Sequence, residues 1–370
     1  MSAQIAVVGG GVIGLSVAWR LAADGRRVVL IDPAPATGAS WVAGGMLAPI
    51  AEAWPGEEGL LTIGTASLEE WPKFARDLTA AAADPGLRTD GTVVVAVDAA
   101  DAAQLEILAG HLASLGRTVE RLTGQRLRRL EPSVGPGVRS GLLVAGDFAV
   151  DNRELLRALI KAARRCGVEF ATATAAAAWP GEVELSDGST VDCETAVICA
   201  GARSGRLHRT LSALIRPVKG EILRLRARPG ALPPPRRTIR GLVESRPVYL
   251  VPRSGGELVL GATQYEAGFD TEVTVRGVAD LLADAQRVLP GLSEYALIEC
   301  AAGLRAGSRD NLPLIGWLEP GVLVATGHHR NGFLLAPITA TTVLALTSGK
   351  PLPKAARPAD PARFTSAVPR

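Results

Sequence analysis

The chain opens with four consecutive apolar residues, Ile5-Ala6-Val7-Val8, and passes straight into Gly9-Gly10-Gly11-Val12-Ile13-Gly14. A short apolar run ended by glycine predicts a buried strand and a turn. Leu15, Ala18, Trp19 and Leu21 then recur at helical spacing, and a second apolar run at 28–31 ends in Asp32, 23 positions after Gly9. The order is strand, Gly-x-Gly-x-x-Gly turn, helix, strand, acidic residue. Gly9 suits a tight turn, Gly11 a close backbone approach to a pyrophosphate, and Gly14 close packing of helix on strand. Free N–H groups at the helix start face the phosphates. Asp32 is placed to accept hydrogen bonds from a ribose. The pattern predicts a Rossmann-like dinucleotide-binding unit.

Further along, two prolines forbid helix at 33–38. The stretch Ala39-Ser40-Trp41-Val42-Ala43-Gly44-Gly45-Met46-Leu47-Ala48-Pro49 is rich in small residues, which let a backbone approach a flat ligand. Residues 57–84 read as helix with breaks at Gly59 and Gly64. A strand is predicted at 92–97, helices at 99–115 and 123–131, and a strand at 141–144. Asp151-Asn152 reads as a helix cap before an apolar stripe at Leu155, Leu156, Leu159 and Ile160. Asp187-Gly188 marks a hairpin, and 195–201 reads as a buried strand ending in Gly201. From 217 to about 260 the pattern is mostly β, with Tyr249 on a strand. A helix follows at 278–288, then a strand at 297–302 ending before Gly303-Leu304-Arg305. A buried strand at 322–327 precedes His328-His329-Arg330-Asn331-Gly332-Phe333 and a helix at 334–346. The proline-rich tail from 351 reads as a surface segment.

The nucleotide-type elements are scattered, with β-rich pieces between them. The expectation is an α/β chain, α+β overall. A Rossmann-like nucleotide-binding domain is built from 1–84, 149–216 and 312–370, and a second, mostly antiparallel β-sheet domain from 85–148 and 217–311.

Composition narrows the partners. A net charge of +3 and short basic clusters argue against nucleic acid. No apolar stretch reaches the ~18 residues that span a membrane, and the first residues lack a charged leader, so neither a membrane nor a secretory route is expected. The four cysteines form no Cys-x-x-Cys pair and no metal-ligand spacing. They read as buried thiols in a reducing cytoplasm, with no metal site.

The motifs together resemble the amine oxidases of the D-amino acid oxidase type, and within them the glycine oxidases of thiamine biosynthesis. The matching pieces run the length of the chain: Val8 to Gly14, Ala39 to Pro49, Pro217-Val218-Lys219-Gly220-Glu221, Val248-Tyr249-Leu250-Val251-Pro252-Arg253, Ala302-Gly303-Leu304-Arg305-Ala306-Gly307, and Gly327 to Pro337. The resemblance implies non-covalent FAD between the two domains. It places Val12 and Ile13 beside the pyrophosphate, Ala39 and Ser40 near the phosphates, and Gly44, Gly45 and Met46 near the flavin ring. Ala176 would touch adenine, and Gly201 would close a strand beside the cofactor. His328, His329, Arg330, Asn331, Gly332, Phe333 and Leu334 would frame the pyrimidine end of the flavin. Two positions depart from the family: Asp32 stands where Glu is usual, and Arg203 where a bulky aromatic is usual. Sarcosine oxidases attach flavin through a C-terminal cysteine, and no cysteine follows Cys300 here.

The implied activity is oxidation of glycine to iminoacetate, with O2 reduced to H2O2. Its partners would be glycine, O2 and a thiazole synthase receiving the product, in a cytoplasmic homotetramer. Such an oxidase needs orientation more than a strong base. A carboxylate substrate calls for arginine. Arg305 is the expected clamp, with a structural salt bridge as the alternative. Arg330 could touch substrate or cofactor, and the Tyr249 hydroxyl could bond the carboxylate. His328 and His329 are adjacent and are not expected to serve as a base. Lys219 is open between structural and functional roles. Sarcosine or small D-amino acid oxidation, a dehydrogenase, and a flavin-binding protein without oxidase activity are the rival readings.

Overall fold

Parallel strands form the centre of the first sheet, in the order Val322–Thr326, Thr190–Ile198, Ser2–Val8, Val28–Ile31 and Glu169–Ala171. The computed structural model describes residues 2–365. Val8 lies level with Ile198 on one side and Ile31 on the other. Both faces of this sheet are covered at its centre, which is why the runs 5–8, 28–31, 196–198 and 322–325 are apolar at every position rather than alternating. Ile5, Val7, Val28 and Leu30 pack on helices, chiefly Val12–Ala23, Glu58–Ala81, Asn152–Arg165 and Ala336–Thr347. Ala6, Val8, Val29 and Ile31 face the other way, against a hairpin of Ala175–Trp179 and Glu182–Leu185. Within the helical layer Trp71 and Trp19 each meet Phe74 edge to face at 5.3 Å.

The second sheet has eight strands and is antiparallel except where Thr238–Val243 runs parallel to Thr92–Ala96. Its order begins Tyr295–Ser308, Ile215–Ala227, Glu257–Gly261 and Arg246–Pro252. Alternation sorts its side chains. Leu250, Leu258 and Leu260 pack toward the helix Val275–Val288, while Tyr249, Val251 and Val259 turn toward Met46 and Ala149. That second face looks at the 44–46 segment. The α/β character and the antiparallel second sheet are those expected from the sequence.

Several local expectations are corrected. The helix Glu58–Ala81 is unbroken. Gly64 serves packing there, because a Cβ would lie 3.0 Å from Pro49. The strand carrying Arg305 does not stop at Ala302 but runs from Tyr295 to Ser308. Gly303 lets the short helix Ala39–Val42 approach it, with Ala39 Cα 3.1 Å from where a Cβ would stand. The described part of the tail packs against the body, with Ala356 and Ala359 fully buried; residues 366–370 lie outside the described part. Of the four cysteines, Cys193 and Cys199 are buried, Cys166 is half-buried and Cys300 is exposed. Among the described residues no helix is long and apolar enough to cross a membrane, and no cluster of His, Cys, Asp or Glu is suited to a metal ion.

Candidate active site

The glycine turn is dictated by contacts that leave no room for side chains. Gly9 has φ +109° and a Cβ there would lie 2.5 Å from the Cys199 carbonyl oxygen; a Cβ on Gly14 would overlap the Gly9 carbonyl. Gly11 caps the helix Val12–Ala23 with no side-chain cap and no acidic residue in the first turn. That uncapped N-terminus suits an anion. The Ser40 hydroxyl accepts from Val12 N–H at 3.0 Å, joining the helix Ala39–Val42 to the turn. Asp32 accepts from Gly10 N–H at 2.6 Å and from Ala34 N–H at 2.7 Å. It therefore braces the turn, and lone pairs remain on both oxygens for a ribose.

Ala176 is exposed on the hairpin strand Ala175–Trp179, and the backbone beside Asp32 is that of Ala171, whose carbonyl accepts from Asp32 N–H at 3.1 Å. Gly201, with φ +55°, begins a 3-10 turn, and its carbonyl accepts from the Thr326 hydroxyl at 3.2 Å. Arg203, in the same turn, stacks with Arg206 on Phe269, at 5.5 and 4.1 Å. The aromatic partner of this turn is thus Phe269.

The segment through Gly44 and Gly45 is held from beneath. Gly45 has φ +68°, and a Cβ would overlap the Val150 carbonyl. Arg253 is 5% exposed and donates to the Gly44 carbonyl at 2.6 Å. Asn152 donates to the carbonyls of Ser40 and Trp41 at 3.0 and 2.9 Å, and accepts from Arg224 at 2.9 Å. Burial pushes both arginines below the usual guanidinium range, Arg253 to about 10. Asp151, expected as the cap of this helix, accepts from the N–H groups of Arg153 and Glu154.

Tyr249 lies across this segment. A Cβ on Gly44 would come 2.9 Å from its ring, and one on Gly261 would overlap its hydroxyl. Arg305 comes from the neighbouring strand pair and lies over Gly220, donating to the carbonyls of Thr263 at 3.2 Å and Lys219 at 3.4 Å. The Thr263 carbonyl it reaches lies just past Gly261, over which the Tyr249 hydroxyl sits. Burial lowers the affinity of Arg305 for its proton, while Tyr249 and Glu52 oppose that shift. Burial raises the Tyr249 phenol, and Arg305 and Arg240 oppose it.

The turn at 328–334 closes the site. Gly332 faces Val12, where a Cβ would lie 3.8 Å from its side chain, so the turn touches the glycine-rich loop. Phe333 and Leu334 are buried, and the Leu334 carbonyl accepts from Ser67 at 2.6 Å and Trp71 at 3.0 Å. Asn331 N–H bonds the His328 carbonyl at 2.8 Å. His328 is buried against the Thr339 hydroxyl at 3.0 Å, and burial drives its pKa down to about 3. His329 is lowered to about 4 by burial and by Arg305, Arg330 and Arg216. Neither is a useful base near neutral pH. Arg330 is committed to two carboxylates, Glu52 and Glu57, each at 2.8 Å. Lys219 is buried and pairs with Asp270 at 2.5 Å and Glu221 at 3.6 Å, away from Arg305, so it fastens the loop before the helix Val275–Val288.

Tyr249 thus meets Met46 and the Gly44 backbone, Arg305 reaches the Thr263 carbonyl just past Gly261, and Arg330 is bound to Glu52 and Glu57. Sequence reasoning missed Glu52, Arg240, Asn152, Arg224 and Asp147. Arg253 stood within a quoted motif and would have been found by asking what binds the Gly44 carbonyl.

Comparison with known proteins gives the chain's family. A family model described as FAD dependent oxidoreductase matches residues 4–346. The glycine oxidase of Geobacillus kaustophilus is 31% identical over 358 residues, 94% of this chain and 93% of that protein. The putative thiamine biosynthesis oxidoreductase ThiO of Rhizobium etli is 33% identical over 343 residues, 92% of this chain and 95% of that protein. The bifunctional protein ThiO/ThiG of Nostoc sp. is 32% identical over 93% of this chain, which spans about half (52%) of that relative's length. The crystal structure of the Geobacillus kaustophilus glycine oxidase superposes with a TM-score of 0.89 at 29% identity, covering 97% of this chain and 98% of that one.

Proposed function

The chain belongs to the FAD dependent oxidoreductase family, and from that premise we propose that it oxidises glycine to iminoacetate, with O2 as acceptor and H2O2 as product. The observation that carries the proposal is the placing of Tyr249 against Gly44 and Met46, with Arg305 over Gly220 and on the Thr263 carbonyl just past the glycine that the Tyr249 hydroxyl covers.

The residues present fit a bound dinucleotide. The helix cap residue Gly11 supplies no side chain, the glycine turn excludes side chains, Ser40 takes only the Val12 N–H, and Asp32 stands at the rim. Val12 and Ile13 would lie by the pyrophosphate, Ala39 and Ser40 by the phosphates, and Gly44, Gly45 and Met46 by the ring. FAD supplies the two-electron acceptor for an amine Cα–H and hands those electrons to O2.

The protein's own part is orientation. The guanidinium fork of Arg305 takes the substrate carboxylate, and the Tyr249 hydroxyl donates a second bond to it. Two fixed partners on one carboxylate set the direction of the Cα–H bond. Neither histidine of the 328–334 turn is a strong base, since burial holds both neutral, and Glu52 is taken up by Arg240 and Arg330. The substrate therefore binds with its amine neutral, its proton left to solvent.

The same proposal places the product in thiamine biosynthesis. Iminoacetate hydrolyses to glyoxylate and ammonia, so a thiazole synthase must receive it promptly. The half-length match to a bifunctional ThiO/ThiG protein supports that link. A cytoplasmic homotetramer belongs to the same reading.

The test is spectroscopic. Glycine added to the FAD-loaded protein without oxygen should bleach the flavin band, and air should restore it with one peroxide per turnover. A flavin that glycine leaves oxidised would overturn the substrate, and sarcosine and D-alanine would then be tried in its place.

A further inference from the structure

Arg240 lies 3.6 Å from the sulfur of Met46, which packs with Tyr249, yet a monocarboxylate needs only the guanidinium of Arg305. Arg240 and Arg330 both end on Glu52, which is 8% exposed. Its Oε1 accepts from Arg240, and its Oε2 lies 2.8 Å from Arg330 Nε without hydrogen-bond geometry. The other arm of Arg330 donates to Glu57 at 2.8 Å. Asp147, fully buried, accepts from the N–H groups of Ile50 and Ala51 and so fixes the backbone that presents Glu52. Glu52 also lies within electrostatic reach of Arg305 and Tyr249. A buried carboxylate between two guanidinium groups offsets one of their two charges where water screens little, and Glu57 offsets the other.

We infer that Glu52 sets the charge specificity of the pocket. By holding Arg240 and Arg330 it leaves Arg305 as the one guanidinium offered to a ligand, and so selects monocarboxylates over dicarboxylates. The inference rests on the carboxylate-binding role proposed above for Arg305 and deepens it. Glu52 is a positioning residue here. It need not touch substrate, because its effect passes through the two arginines it occupies. With Glu52 neutral, Arg240 loses its carboxylate partner and Arg330 keeps only Glu57, and the uncompensated positive charge favours a second anionic group.

Ligand binding tests this without turnover. Malonate and monomethyl malonate are nearly equal in size and differ by one charge. Each is titrated into the FAD-loaded protein and followed by perturbation of the flavin band. The wild type should bind the monoester more tightly. Glu52→Gln should shift the ratio of the two dissociation constants at least tenfold toward malonate, and Glu52→Asp should keep the wild-type order. Glu57→Gln, at the solvent edge, loosens only Arg330, and should shift the ratio about threefold the same way even if Glu52→Gln fails to fold.

An unchanged ratio in the variants, with both ligands still perturbing the flavin, overturns the role of Glu52 alone. A wild type that responds to neither ligand and is not bleached by glycine overturns the carboxylate-site reading and this inference with it.

Discussion

A Cβ on Gly220 would overlap the guanidinium of Arg305. The two residues lie on paired antiparallel strands, with Arg305 level with Val218, and the arginine folds back across the bare backbone of Gly220. The absence of a side chain at 220 thus decides where the clamp sits. Gly220→Ala keeps the strand, because alanine suits extended backbone, but it pushes the guanidinium off its place. We expect the KM for glycine to rise at least tenfold with FAD still bound. Steady-state kinetics beside a flavin spectrum check this, and a KM within twofold of wild type would show that Arg305 is not the clamp. Arg305→Ala should raise KM further and likewise leave the flavin in place.

Tyr249 contributes one hydrogen bond to the carboxylate in this scheme. Tyr249→Phe removes the hydroxyl and keeps the ring against Gly44. A neutral hydrogen bond is worth about 1 kcal/mol net, roughly fivefold in binding. The expected result is a KM for glycine about fivefold higher and a near-normal flavin spectrum. An unchanged KM would make Tyr249 a packing residue only.

How legible this site was follows from distance along the chain. The glycine turn and Asp32 are local, and each is forced by a backbone requirement that shows in residue type. Arg305 stood out because it follows a strand and a glycine and a carboxylate calls for arginine, whereas a tyrosine on a strand packs more often than it binds, and Tyr249 was singled out by the family resemblance. Glu52 and Arg240 are 188 residues apart, and a single charge in the apolar stretch 47–54 announces no partner. Helix and strand limits failed for a related reason. Gly64 and Gly303 read as breaks, yet each is a place where another element comes close, to Pro49 and to Ala39. Local propensity cannot distinguish a glycine that ends an element from one that admits a neighbour.

The glycines of the first turn differ in what they protect. A Cβ on Gly14 would overlap the Gly9 carbonyl, whereas a Cβ on Gly11 meets only the Ser40 hydroxyl at 3.2 Å. Gly11→Val should therefore fold and purify colourless, because the side chain stands where the pyrophosphate must approach. Gly14→Ala should lose stability as well as FAD. Far-ultraviolet circular dichroism and thermal melts of both variants, with their flavin content, separate the two effects. A yellow, FAD-loaded Gly11→Val protein would contradict the pyrophosphate contact.

Asp147 predicts a pH dependence of stability with a definite sign. Burial pushes its pKa up to about 7, although Ile50 and Ala51 N–H groups and Arg240 favour the charged form. In the unfolded chain an aspartate titrates near ~3.9. A carboxyl whose folded pKa is raised holds its proton more tightly in the native state. Its contribution is therefore fully present below about pH 4 and is lost as pH rises through about 7. Inside that window the slope approaches ~1.4 kcal/mol per pH unit for one proton. Asp147→Asn retains an acceptor for the 50–51 backbone and cannot titrate. Urea unfolding of wild type and variant at steps from pH 4.5 to 7.5 isolates the effect, because other titrating groups cancel in the difference. The wild type should gain on the variant as pH falls across this range. Two parallel curves would mean that Asp147 is ionised throughout, and that its two N–H donors and Arg240 outweigh its burial.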